Sequence, residues 1–178
     1  MRLRLFYLPL LACVLMAAPV SASVLFDSGP PAAHQAHLVS SGEWVTNLFR
    51  PTADGTARSI QLALWVSPGD SPGQLDWALG TIAHWANNNV WWGDDSLGHG
   101  TAVLQSTFLQ SAAGSSWDIY TAMFTIPDAA LTAGDPYTLT IYNALSFDGR
   151  EMYWDENIGT SFAGAKGLGQ IEPESFFF

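Results

Sequence analysis

Residues 56–67 read TARSIQLALWVS. Ile60, Leu62 and Leu64 alternate with Ser59, Gln61 and Ala63. A period of two puts the first set on one face of an extended strand, whereas a helix would repeat its apolar positions every three to four residues. Upstream, PTADGT (51–56) contains Asp54-Gly55, a hairpin-turn signal. Downstream, SPGDSPG (67–73) cannot continue a ladder, because proline has no N–H to donate. The stretch therefore predicts a β-strand bounded at both ends.

The same reading extends along the chain. QLDWALG (74–80) alternates through Leu75, Trp77 and Leu79. HGTAVLQSTFLQ (99–110) predicts a further strand, and SAAGSS (111–116) a turn. In WDIYTAMFTI (117–126) the set Tyr120, Ala122, Phe124, Ile126 alternates with Ile119, Thr121, Met123. PDAALTAGDP (127–136) reads as a connector, with room for one helical turn. YTLTIYNAL (137–145) sets Tyr137, Leu139 and Ile141 against Thr138, Thr140 and Tyr142. SFDGR (146–150) holds a second Asp-Gly turn, and EMYW (151–154) resumes the strand. The best helix candidate, PPAAHQAHLVSSG (30–42), is short and opens on two prolines. Eight or nine short strands with regularly spaced turn signals predict an all-β fold, an antiparallel, jelly-roll-like β-sandwich. No solenoid or propeller period is present.

The chain begins with Arg2 and Arg4, an uncharged apolar run from Leu5 to Ala18, and Val20-Ser21-Ala22 with small residues at the site. That layout predicts a secretory signal peptide over 1–22 and a single sandwich domain over 23–178. The run is too short for a membrane span, which needs roughly 17–25 residues, so no transmembrane span is expected in the mature chain. Cys13 lies within the run and is the only cysteine. LLAC around it loosely resembles a lipoprotein box, but the apolar run continues past it. The mature chain is thus expected to hold its fold without disulfides.

Beyond Ala22 four basic residues, Arg50, Arg58, Arg150 and Lys166, face all 16 acids. Phosphate backbones are bound through basic clusters that displace counterions. None is present, so nucleic acid and anionic membranes are excluded as expected partners.

Two stretches carry candidate binding chemistry. HWANNNVWWGDDSLGHG (84–100) gathers Trp85, Trp91 and Trp92 with Asn87, Asn88 and Asn89. Indole faces stack on apolar sugar faces and amides bond hydroxyls, so Trp85, Asn89, Trp91 and Trp92 form a candidate carbohydrate site. Alternatively the tryptophans cap the core under a long loop, since Trp is highly buried on average. Asp94 and Asp95 fail the spacing of an EF-hand. YWDEN (153–157) places Trp154 as a core anchor, with Asp155, Glu156 and Asn157 opening a return loop, where Asp and Asn bond nearby backbone. If IEPESFFF (171–178) is a last strand beside SVLFDS (23–28), Asp27 could join Asp155, Glu156 and Asn157 around a structural calcium ion.

Catalytic motifs are missing. His34 and His37 lack further zinc ligands at a recognisable spacing, and His84 and His99 add no pattern. There is no G-x-S-x-G. GAKGLG (164–169) lacks the Lys-Ser/Thr ending of a phosphate loop. Scattered acids identify no glycosidase pair. The expectation is a protein that is not an enzyme, with a hydrolase as the remote alternative.

SVLFDSGPP, LALWVSPGDSPGQLDWALG, YTLTIYNA and YWDENIGTSFAG…IEPESF occur in that order over nearly all of the mature chain. Together they resemble the secreted bacterial proteins that carry PEP-CTERM sorting signals. The resemblance implies export, a place at the cell surface or in the exopolysaccharide matrix, and no assigned activity for most members. Relatives follow the YWDEN segment with Pro-Glu-Pro, an apolar span and a basic tail read by an exosortase. Here Glu172-Pro173-Glu174 stands instead, followed only by Ser175 and Phe176 to Phe178. A chain of this sequence is expected to bypass that sorting route, whether by free secretion or through truncation.

Overall fold

The computed structural model describes residues 23–178 apart from 86–90, 113, 158–161, 166–170, 173–174 and 177–178. The expected signal peptide, 1–22, lies outside the described residues. Among those described every regular element is a strand: β1 (Ala36–Leu38), β2 (Trp44–Phe49), β3 (Gly55–Val66), β4 (Pro72–Trp85), β5 (Trp91–Gly93), β6 (Gly98–Val103), β7 (Gln105–Ser111), β8 (Asp118–Leu131), β9 (Tyr137–Ser146), β10 (Tyr153–Asn157), β11 (Phe162–Ala165), β12 (Ile171–Glu172) and β13 (Ser175–Phe176). No helix among them is long and apolar enough to cross a membrane.

The strands form two antiparallel sheets. One runs β1-β10-β3-β8-β7, with β13 added to β10; the other runs β12-β11-β2-β9-β4-β5, with β6 also on β4. Successive strands change sheet at β1–β2, β2–β3, β3–β4, β6–β7, β8–β9, β9–β10, β10–β11 and β12–β13. This interleaving is the jelly-roll arrangement of two wrapped sheets.

The period-two pattern explains the core. Ile60, Leu62, Leu64 and Val66 of β3, with Ala122, Phe124 and Ile126 of β8, meet Val45, Leu75, Trp77, Leu79, Leu139 and Ile141 of the other sheet in one buried cluster. The Trp77 and Phe124 rings stand 6.1 Å apart within it. Trp154 is fully buried in the same cluster. The opposite face of the first sheet is covered as well. Ala63, Trp65 and Ile119 pack there with Ala33 and Ala112 in a second cluster.

Several local expectations are corrected. Asp54-Gly55 does not join a hairpin: β2 and β3 lie in different sheets, and Asp54 Oδ1 instead accepts the Ala133 N–H at 2.7 Å. Residues 99–110 are two strands, because the chain leaves one sheet for the other at Leu104, whose N–H donates to Gly73 O. Residues 127–136 are not all connector, since β8 continues through Pro127 to Leu131. A bulge between Ala57 and Ser59 absorbs the proline's missing donor, and Arg58 lies across it in a bidentate pair with Asp128. Residues 30–42 form β1 and a turn rather than a helix. Asp155, Glu156 and Asn157 do not open a loop but complete β10, between β1 and β3. Residues 171–178 are not one closing strand: β12 pairs with β11, and β13 pairs with β10. SVLFDS is not a strand. It packs Leu25 and Phe26 against the core, with Phe26 5.2 Å from Phe49.

Candidate functional site

The tryptophan stretch is built as a hairpin that extends β4. β5 returns along β4 with Trp91 opposite Trp85 and Gly93 opposite Ile82. Trp92 follows Trp91 within β5; residues 86–90, Asn89 among them, lie outside the described residues. The base of the return is tied by side chains. Asp94 accepts hydrogen bonds from Ser96 Oγ at 3.0 Å and Thr81 Oγ1 at 3.3 Å, and the Thr81 N–H donates to Ser96 Oγ. Asp94 lies so close to Gly80 that a Cβ there would fall 1.8 Å from its Oδ1 and 2.2 Å from its carbonyl oxygen. Gly80 is thus required for the close approach of the two segments. Asp95 pairs with His99 at 2.9 Å on the surface.

The acidic candidates serve a different purpose. Successive residues of a strand point to opposite faces. Trp154 enters the core, so Asp155 faces the outer cluster and Glu156 the inner face. Asp155 is fully buried. Its carboxylate accepts from Trp65 Nε1 at 2.6 Å, from Ala32 N at 2.9 Å and from Ala33 N at 3.2 Å. Burial pushes its pKa up to about 6; the three donors pull against that shift, and the neighbouring Glu156 charge adds to it. Glu156, also buried, lies against His37 Nε2. Asp27 is exposed and accepts the Gly29 N–H at 2.8 Å within its own turn. Asn157 pairs through its backbone with Ser175. The four residues expected around calcium are therefore dispersed: one in a surface turn, two on opposite faces of β10 and one at its end. Among the described residues no three or more His, Cys, Asp or Glu side chains converge as a metal site.

Two features escaped the sequence reading. Asp70, in SPGDSPG, is buried and accepts the Ser71 and Asp148 N–H groups at 2.7 and 3.3 Å, fastening the second Asp-Gly turn to this loop. Burial raises its pKa, but the Ser146 hydroxyl, these two N–H groups and the Arg150 charge outweigh that and hold it below the ordinary value. An aspartate between two prolines was the available signal. The second feature is a cleft of about 870 Å³ beside segment 23–30, with Phe26, Phe49, Ile60, Leu79 and Leu139 among its walls. Among the described residues its walls do not include Asp155 or Glu156, and the one cation among them, Arg58, is engaged by Asp128. No protein-family model, curated protein or solved structure matches the chain.

Proposed function

We propose that the chain is an exported, non-catalytic protein of the bacterial cell surface or exopolysaccharide matrix. The observation that carries this reading is the N-terminal layout of a basic start, an uncharged apolar run from Leu5 to Ala18 and small residues at Val20-Ser21-Ala22. That layout supports export, and the likeness to PEP-CTERM proteins supports the location. Expression in a Gram-negative host tests it: the protein should leave the cytoplasm with its first 22 or so residues removed. Intact Met1 on exported protein, or retention in the cytoplasm, would overturn the reading.

A second reading, a carbohydrate-binding module, is favoured by the register of Trp85 and Trp91 with Trp92 beside them. A glycan array probed with the exported protein should find neutral polysaccharides, and ligand should quench tryptophan fluorescence. Trp91→Ala should weaken binding without lowering stability. Lost stability with no glycan bound would leave these rings as a lid on the sandwich.

A further inference from the structure

One side of the sandwich differs in chemistry from the rest. From Ser96 to Trp117 the sequence contains no Asp, Glu, Lys or Arg, in a chain of formal charge −10. The fold places this neutral stretch on a single side, as β6 on the second sheet, the crossing at Leu104, β7 on the first sheet and the turn into β8. β7 ends its sheet: it pairs with β8 on one side, and among the described residues no strand pairs with the other. In an antiparallel strand alternate residues turn their N–H and C=O groups away from the neighbour, so β7 directs a row of backbone groups away from β8, where no described strand pairs with them. All of its residues but Ser106 are exposed. Phe108, which meets Tyr120 edge-on at 5.6 Å, is 52% exposed, and Leu109 and Val103 beside it are 45% and 80% exposed.

Edge strands are commonly guarded by charges, prolines, bulges or inward-pointing lysines. β7 has no charge and no proline; its one guard is a bulge between Phe108 and Gln110. We propose that the β7 edge is a docking surface for a second copy of this chain, which adds its own β7 antiparallel and continues the first sheet across a two-fold axis. Charge identifies the occupant. Two molecules this acidic repel each other over most of their surfaces, and β7 is a strand without charge of its own, with Asp118 held at its end by the Ser111 hydroxyl. An isologous contact also needs a self-complementary patch. A short uncharged strand of Gln, Ser and Thr around Phe108 and Leu109 is one, since each backbone donor faces an acceptor and each apolar side chain an apolar counterpart.

The contact is confined to one short strand per molecule, so weak, reversible association is expected. Sedimentation velocity over a concentration series, in a Cys13→Ser background, should show a monomer–dimer equilibrium. That background removes the only native thiol. Thr107→Glu should weaken dimerisation about tenfold or more by placing like charges across the axis, with an unchanged melting curve. Gln110→Glu, nearly isosteric, provides the same test if the first variant folds poorly. Single cysteines placed in turn from Gln105 to Ser111 should form intermolecular disulfides most readily at one position, with yields falling on either side, because only the residue at the two-fold axis meets itself. Three results would overturn the proposal: a monomer throughout the series, a dimer indifferent to both glutamates, or cross-linking even across β7. A wild-type chain that stays monomeric while β7 captures a different protein would overturn the second copy as occupant.

Discussion

Trp154 and Asp155 are neighbours with opposite fates. The indole is fully buried in the main core, so Trp154→Ala should destabilise the fold by about 3–5 kcal/mol, measured by denaturant unfolding. Asp155→Ala would leave the Trp65 indole N–H and the Ala32 and Ala33 N–H groups without their acceptor. The expected loss is about 3 kcal/mol, and Asp155→Asn, which keeps an acceptor, should lose less. The carboxyl also sets a pH dependence. Its folded pKa, about 6, lies above the ordinary 3.8, so the folded state binds the proton more tightly than the unfolded chain. That contribution is fully present below pH 3.8 and is lost as pH rises through about 6. Asp70 has the opposite sign: its pKa is held below 3.8, so its contribution is present above that value and lost as pH falls through the lower folded one. Urea midpoints across pH should therefore decline on both limbs, and Asp155→Asn should flatten only the upper one.

Two elements depend on local devices that can be tested singly. The β4–β5 hairpin needs Gly80, because any Cβ there strikes Asp94. Gly80→Ala should lower stability by about 1–3 kcal/mol and perturb tryptophan fluorescence, since the displaced segment leads into the Trp91 strand. The bulge in β3 opposite Pro127 carries the Arg58–Asp128 pair, largely exposed to solvent. Exposed pairs contribute little, so Arg58→Ala should leave the urea midpoint within error. A marked shift would mean that the pair holds the bulge. The strand pattern of β3, β8 and β9 was legible in sequence because each alternates cleanly. The outer cluster was not read from sequence, although a signal stood there: LALWV is continuously apolar from Leu62 to Val66, the sign of a strand covered on both faces.

Across the whole molecule, the acid excess and the neutral β6–β7 side belong together. Far-ultraviolet circular dichroism should give a strand spectrum with little helix, and a helix-dominated spectrum would contradict the fold. If copies associate through β7, raising the salt concentration should strengthen the dimer, because screening reduces the general repulsion between acidic molecules. Sedimentation at low and high ionic strength checks this.

Period two, turn chemistry and the absence of a helical repeat were enough to determine an antiparallel sandwich, its inward residues and Trp154 as a core anchor. These are properties of neighbouring residues, set by the alternation of side chains along an extended backbone. The choice of sheet for each strand was decided only in three dimensions. Asp54-Gly55 carries a hairpin signal yet joins two sheets, and an unbroken pattern from His99 to Gln110 changes sheet at Leu104. Local preference did not decide the corner: Gly55 does not adopt the positive φ that a tight Asp-Gly hairpin turn requires and instead begins β3 in the other sheet. The acids of YWDEN show the same limit. Their spacing suited a loop, but partners more than a hundred residues away, at Ala32, Ala33 and His37, made them a buried part of a strand. Long-range pairing supplied the donors that make such burial tolerable.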